Sequence, residues 1–253
     1  MDTTIPLQQI NIDGNVYNKI TGVQFSVLSP EEIANSSVTE IFTQETYDGN
    51  LPKVGGLFDA RMGVLDHCQI CPTDKLNNKS CPGYFGHLQL AHPVFNMQYI
   101  STIRKILKCI CFRCSKLRVE VPEDHEIFTL KGAKRFQAYY NLCARCKPSR
   151  CGEALLNSEC ETAHDGCGIE YPKSISKHSS FHELVAKWPM KKGEEIKQLV
   201  WNAADILRIF SRICDKDSAI MGFNPAWCKP EWMIYTVFPV SPPSMRPSVK
   251  QDN

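Results

Sequence analysis

Thirteen cysteines in a chain of 253 residues constrain the fold more than any other feature of the sequence. Several of them stand in C-x2-C pairs, the spacing at which two thiolates converge on one tetrahedral zinc ion. A secreted disulfide scaffold is the competing explanation. The N-terminal residues show neither the basic region nor the apolar core of a signal peptide, and an odd number of cysteines cannot pair completely. We therefore predict zinc sites and free thiols in an intracellular, reducing compartment.

The composition is that of an ordinary globular protein, with 43% hydrophobic and 22% charged residues. No apolar run approaches the length of a transmembrane helix, so we expect no membrane partner. The formal net charge of +2 neither supports nor excludes a nucleic-acid partner, because a basic face can be hidden in a nearly neutral total. The motifs therefore carry the functional prediction.

The first candidate metal site lies in the stretch GGLFDARMGVLDHCQICPTDKLNNKSCPGYFGHLQLAHPVF and draws on Cys68, Cys71 and Cys81. Position 84, where a second C-x2-C pair would end, holds Tyr84, and a phenol with a pKa of about 10 is a poor zinc ligand near neutral pH. His87 follows three residues later, beyond a pliable glycine, and we predict it as the fourth ligand. A different fourth ligand, or a site without metal, stays open.

The second candidate site starts from Cys111 and Cys114, the pair in CFRC. Its other ligands must come from a cysteine-rich stretch that contains Cys143, Cys146, Cys151, Cys160 and Cys167. Spacing alone leaves Cys146 and Cys151 equally plausible. The remaining thiols are expected to be packed and metal-free: Cys109, Cys214 and Cys228. Because the chain lacks motifs such as H-E-x2-H that give zinc an open position and a general base, we predict structural zinc rather than a hydrolase.

Periodicity and capping signals predict both helices and strands, hence an α+β chain. Ser29, Pro30 and Glu32 form a capping box that predicts the start of a helix. The other predicted elements are a strand over 20–28, helices over 98–108, 131–143, 191–214 and 215–221, a loop or marginal strand over 172–182, and a strand over 232–240.

Several sequence blocks together resemble the N-terminal region of the largest subunit of multisubunit DNA-directed RNA polymerases, of eukaryotic, archaeal or viral type. The central blocks are GGLFDARMGVLD, CQIC and CPGYFGHLQLAHPVF. In family order they are flanked by GVQFSVLSPEEI, ILKCICFRCSKL, DGCGIEYP, LRIFSRICDKDSAIMGFNP and KPEWMIYTVFPVSPPSMRPSV. The blocks cover most of the chain, which makes the resemblance far more specific than any single C-x2-C pair.

The resemblance implies a clamp that closes over template DNA and the RNA–DNA hybrid. An irregular, zinc-stabilised clamp core would comprise residues 1–95 and a return segment, 231–253, and a helical, zinc-bearing clamp head would comprise residues 96–230. The second-largest subunit and the other polymerase subunits would be partners. The location would be the nucleus for a cellular eukaryotic enzyme, or the cytoplasm or virion for a viral one.

The resemblance also implies which residues bind the metal ions. In the family the histidine of CPGH completes the first zinc site, which puts that ligand in doubt at Tyr84. The second site carries over as Cys111, Cys114 and Cys167, with Cys151 preferred as the fourth ligand.

The family's catalytic Mg2+ is held by an NADFDGD loop that this sequence does not contain. We therefore expect a first segment of the nucleotidyltransferase subunit that ends before the lid and rudder, has no catalytic residues and is inactive alone. A freestanding structural-zinc module that binds nucleic acid or protein is the alternative. Weak candidates for nucleic-acid contacts are Lys191, Lys192 and Arg246.

Overall fold

A computed structural model describes residues 9–12, 15–18, 22–23, 25–153, 161–162, 166–177, 183–188 and 197–246. Its first part contains short hairpins, one helix and one long strand: β1 (Gln9–Ile12), β2 (Asn15–Asn18), α1 (Pro30–Ser36), β3 (Tyr47–Asp48), β4 (Leu51–Pro52) and β5 (Gly86–Phe95). The later part contains α2 (Ile100–Cys109), β6 (Val119–Glu120), α3 (Gly132–Cys146), β7 (Glu161–Thr162), β8 (Ser174–Lys177), β9 (Leu184–Lys187), β10 (Gln198–Trp201), α4 (Ala203–Phe210), α5 (Asp215–Ile220) and β11 (Ile234–Val240). The fold is therefore α+β, as predicted.

The described strands form small antiparallel sheets. The longest pairing joins β5 to β11, with Phe95 opposite Ile234 at one end and Gly86 opposite Val240 at the other. A change of register between Tyr235 and Val237 bends this ribbon. The pairing connects the end of the described chain to the strand that follows the first cysteine-rich loop.

The main hydrophobic core forms where α2 packs against α3. Ile103 and Ile106 are fully buried on α2, one turn apart, as the helical period of the sequence predicts. Tyr139 of α3 is also fully buried, and its hydroxyl donates a 2.7 Å hydrogen bond to the carbonyl of Val119. The same cluster continues through Phe95 and Ile234, so the β5–β11 ribbon and the helices share one core.

Four of the predicted helices have a counterpart in the structure. The α1 helix begins with the expected capping box, in which Ser29 and Glu32 bond each other's backbone N–H groups. The helices predicted over 98–108, 131–143 and 215–221 correspond to α2, α3 and α5, with Gly222 at φ +94° after α5. The predicted strand over 232–240 is β11, and the marginal strand over 172–182 contains β8.

Two predicted elements are wrong. The strand over 20–28 has no counterpart among the residues described there, and Phe25 is 90% exposed. The single helix over 191–214 is a strand followed by a shorter helix, with residues 191–196 outside the described part of the chain. Leu199 and Val200 pair with β9, and Asn202 forms a capping box with Asp205 that starts α4 only there.

Within the described part of the chain, no helix has both the length and the apolar character needed to cross a lipid bilayer.

Candidate metal centres

A tight loop of the chain positions the first half of the second site. Ile110 and Leu117 form a β-bridge that closes the loop. Inside it, the Cys111 N–H donates to the Lys116 carbonyl at 2.8 Å, and the Ser115 N–H donates back to the Cys111 carbonyl at 2.8 Å. This geometry turns the sulfurs of Cys111 and Cys114 toward the same point.

The other half of the site is a pair of cysteine–glycine turns. The Cys151 N–H donates to the Ile169 carbonyl at 2.9 Å, and the Gly168 N–H donates to the Cys151 carbonyl at 3.2 Å. Gly152 has φ +81°, and a Cβ there would overlap the backbone of Gly166. Only glycine allows the two turns to approach this closely.

Arg118 holds the surroundings of this site together. Its guanidinium donates to the carbonyls of Ile110 and Leu107 at 2.9 and 3.0 Å, and it stacks 3.9 Å from the ring centroid of Tyr171. Burial lowers the pKa of Arg118, but a guanidinium is so strongly basic that it remains charged near neutral pH. The side chain thus links the end of α2 and the cysteine loop to the segment after Cys167.

Four sulfurs meet between these two halves. The Sγ atoms of Cys111 and Cys167 are 3.6 Å apart, those of Cys114 and Cys151 are 3.8 Å apart, and all four lie within 4.8 Å of one another. Four sulfurs bound to zinc at about 2.3 Å stand about 3.8 Å apart at the corners of a tetrahedron. The arrangement therefore fits a structural zinc ion. The structure brings Cys151 rather than Cys146 to the group.

Without a cation, burial disfavours the ionisation of three of these four thiols. Burial raises the pKa values of Cys111, Cys114 and Cys151. Burial acts in the same direction on Cys167, but hydrogen bonds from the Ile169 N–H and from neighbouring thiols outweigh it and lower its pKa. Clustered thiolates repel one another without a metal, so a divalent cation would be needed to hold all four in the ionised form.

In the first candidate site, three donor groups lie within 4.8 Å of one another: Cys71, Asp74 and Cys81. The Asp74 carboxylate accepts a 2.9 Å hydrogen bond from the Leu76 N–H and a 3.2 Å bond from the Tyr84 hydroxyl. Burial and the neighbouring Asp74 carboxylate raise the pKa of Cys81 to about 11. Sequence reasoning missed Asp74, although Cys71-x2-Asp74 has the same spacing as Cys111-x2-Cys114.

The structure does not bring the other two predicted ligands of this site into that group. Cys68 is an exposed free thiol. His87 lies in β5 opposite Pro239, and its Nδ1 is 2.5 Å from the Ser37 hydroxyl. Strand pairing fixes the orientation of the imidazole, which forms a hydrogen bond with Ser37 and does not join the cysteine group.

Of the three residues predicted to contact nucleic acid, the structure describes only Arg246. Lys191 and Lys192 lie outside the described residues. Arg246 donates to the carbonyls of Ser241, at 2.8 Å, and Leu57, and its guanidinium lies 5.4 Å from the ring centroid of Phe58. In this structure Arg246 ties the segment after β11 to the loop before the first site.

The thiols predicted to be metal-free are in neither group. Cys109 is fully buried in the main core, as expected, and Cys228 packs at the edge of that core. The prediction of a packed thiol is wrong for Cys214, which is exposed. Its sulfur accepts a 3.4 Å hydrogen bond from the Asp217 N–H at the start of α5. Eleven of the described cysteines form no disulfide bond, and this supports the choice of metal sites over a disulfide scaffold.

Four thiols that converge on one point in an α+β fold form a group that could hold a structural metal ion. The chain belongs to the family described as RNA polymerase Rpb1, domain 1, which it matches over residues 17–253. It is similar to the DNA-directed RNA polymerase II subunit RPB1 of Euplotoides octocarinatus, with 34% identity over 240 residues. That match covers 92% of this chain and 48% of the relative, so the chain spans about half the length of the curated relative. The resemblance noted in the sequence is thereby confirmed.

Proposed function

We propose that this chain is the N-terminal segment of the largest subunit of a DNA-directed RNA polymerase and forms the clamp that closes over template DNA and the RNA–DNA hybrid. The observation that carries the proposal is the family match over residues 17–253. The proposed partners are the second-largest and other polymerase subunits, together with the nucleic acid. The proposed location is intracellular and reducing, in the nucleus if the source is a eukaryotic cell.

The clamp has two parts in this proposal. Residues 1–95 and 231–253 form the clamp core, and residues 96–230 form the clamp head. The antiparallel pairing of β5 with β11 supports this division, because it returns the chain to the core after the head. The cluster that continues from α2 and α3 through Phe95 and Ile234 would transmit a movement of the head to the core.

Zinc has a structural role in the proposal. Cys111, Cys114, Cys151 and Cys167 hold one ion, which joins two loops that otherwise share little core. A second ion belongs to the loop that contains Cys68, Cys71 and Cys81. Because the ligands of such sites come together only in the folded chain, the free energy of zinc binding contributes directly to folding.

The chain supplies no catalytic residue in this proposal. Its contribution to nucleotidyl transfer is to retain the nucleic acid, while Mg2+ would be bound by aspartates of the subunit that this sequence does not contain. Among the described residues, the groups able to hold a metal consist of cysteines with one aspartate, which suits zinc better than Mg2+.

Affinity purification of the tagged polypeptide from its source cells tests the proposal. We expect the second-largest polymerase subunit to copurify in equal amount and to remain bound in high salt. A Cys111→Ser, Cys114→Ser variant should yield less of the complex, whereas Cys214→Ser, which changes an exposed thiol outside both groups, should match the wild type. Recovery of the polypeptide as a free monomer that binds nucleic acid with a steep salt dependence would favour the freestanding module instead.

A further inference from the structure

The loop at Cys71 has the same backbone geometry as the loop at Cys111. A β-bridge between Ile70 and Asn77 closes the first loop, as the bridge between Ile110 and Leu117 closes the second. The Cys71 N–H donates to the Leu76 carbonyl at 2.9 Å, where the Cys111 N–H donates to Lys116. The hydrogen bonds of the two loops therefore correspond residue by residue, with Cys71 in the position of Cys111.

The equivalence extends through the turn. The Lys75 N–H donates to the Cys71 carbonyl at 2.9 Å, as the Ser115 N–H does to Cys111. Lys75 has φ +62° and Ser115 has φ +60°, both in the left-handed region that residues other than glycine rarely adopt. With both turns matched, Asp74 stands where the second loop has its ligand Cys114.

The side-chain contacts of Asp74 point independently to the same role. Its carboxylate lies within 4.8 Å of the sulfurs of Cys71 and Cys81. The hydroxyl of Tyr84 donates to Oδ2 of the same carboxylate at 3.2 Å. Carboxylates that bind metals are generally oriented by such an outer hydrogen bond. In this role Tyr84 orients the Asp74 carboxylate and is not itself a metal ligand.

We propose that Asp74 is a ligand of the first zinc site, with Cys71 and Cys81, and that Tyr84 orients its carboxylate. The inference rests on the proposed structural role of zinc and concerns which side chain completes the site. Carboxylate oxygens bind zinc at about 2.0–2.2 Å, so an aspartate can replace a thiolate or imidazole in a tetrahedral site. Cys68 lies outside this group, so the donors that the geometry assigns are these three side chains. His87 stays with Ser37 and is not a ligand.

Metal content of the purified chain tests this assignment. We expect about two zinc ions per chain for the wild type, measured by plasma mass spectrometry after gel filtration. Asp74→Asn keeps the size of the side chain but weakens the donor, so the content should fall to about one. His87→Ala should retain about two, which makes it the matched control for the ligand predicted from sequence.

A second variant guards against a misfolded Asp74→Asn protein. Asp74→Cys reproduces the pattern of Cys111-x2-Cys114 and should keep about two ions. After replacement of zinc by Co2+, its thiolate-to-cobalt absorption should be stronger than that of the wild type. The inference is overturned if Asp74→Asn keeps both ions, if His87→Ala loses one, or if the cobalt spectrum of Asp74→Cys is unchanged.

These outcomes are separable from failure of the proposed function. A wild-type chain with two ions, unaffected by Asp74→Asn, refutes only the role of Asp74. A chain in which Cys111→Ser leaves the metal content unchanged refutes the proposed structural zinc at the second site. A wild-type chain with one ion, lost in Cys111→Ser, overturns the Asp74 site and leaves the second site intact.

Discussion

Asp59 connects the loop before the first cysteines to the site itself. Its buried carboxylate accepts hydrogen bonds from the Gly55 N–H at 2.6 Å and from the Arg61 guanidinium, also at 2.6 Å. The carbonyl of Arg61 in turn accepts a 2.7 Å bond from the Thr73 hydroxyl and faces the Cys71 sulfur at 3.9 Å. Asp59 therefore holds the backbone of Arg61 in place, and the Arg61 carbonyl in turn contacts the cysteine loop.

Asp59→Asn should lower the free energy of unfolding by about 2 kcal/mol at neutral pH, the usual cost of losing hydrogen bonds to a buried charged group. Urea denaturation measures this. Asp124→Asn, at an exposed aspartate, is the matched control and should change stability by less than about 0.5 kcal/mol. An equal effect of the two variants would contradict the role of Asp59.

The contribution of Asp59 should also depend on pH. Burial opposes its ionisation, but hydrogen bonds from Arg61 and from the Gly55 N–H outweigh burial and lower the pKa of the carboxyl. Because the folded-state pKa lies below the unfolded value of about 3.9, the stabilisation is present above that pH and is lost as the pH falls through the folded-state pKa. The difference between wild type and Asp59→Asn should therefore shrink only below about pH 4.

The glycine turn that follows Cys81 shows how one element depends on another. Gly83 has φ +82°, and a Cβ there would stand 2.7 Å from Cβ of Pro242, in the segment after β11. The turn and the returning segment are thus packed too closely for any side chain at this position. The first cysteine loop and the end of the described chain are thereby held together as one unit.

Gly83→Ala should be more destabilising than Gly49→Ala. Both glycines have a positive φ, so each substitution costs about 1–2 kcal/mol of backbone strain. A Cβ at Gly49 meets nothing within 4 Å, whereas one at Gly83 meets Pro242, so the difference measures the packing of the two segments. Urea unfolding of both variants gives this difference, and equal losses would show that the segments separate readily.

Elements with strong local signals could be predicted from the sequence, and elements set by pairing could not. The capping box at Ser29 and the apolar face of α2 depend on residues close in sequence, and both occur as predicted. Leu199 and Val200 also fit a helical stripe, but pairing with β9 makes them part of a strand. Such pairing depends on residues distant from the segment itself, so local periodicity cannot reveal it.

The candidate sites divide in the same way. Spacing pointed to Cys111 and Cys114 but left Cys146 and Cys151 equally plausible. The family resemblance favoured Cys151, and the structure places its sulfur in the group. Asp74 was missed because a carboxylate in a loop is usually a solvated charge. Its proposed role as a metal ligand depends on the backbone geometry of the loop, which the sequence does not reveal. His87 looked favourable along the chain, but strand pairing directs it to Ser37.

At the scale of the whole molecule, we expect the hydrophobic core to stabilise one part of the fold and the proposed zinc ion to stabilise another. The main cluster stabilises α2, α3 and the β5–β11 ribbon, while Cys111, Cys151 and Tyr171 form only a small separate cluster around the four sulfurs. So small a cluster buries little apolar surface, and we therefore expect the loops that carry these cysteines to depend on the proposed zinc ion.

Chelation should therefore unfold the middle of the chain preferentially. We expect a strong chelator to expose the region around Cys151 and Cys167 to protease, while the β5–β11 ribbon stays protected for longer. Mass spectrometry of the fragments over time locates the first cleavages. Protection that is equal in all regions after chelation, with zinc removal verified, would contradict the structural role of the metal.

Closure of the clamp is the central claim, and a distance across the assembled enzyme tests it most directly. A dye attached through an unnatural amino acid at exposed Lys134 of α3, with a second dye on the second-largest subunit, reports the separation by fluorescence energy transfer. We predict that energy transfer rises when template DNA and the RNA–DNA hybrid bind. A separation that does not change on binding nucleic acid would contradict the clamp.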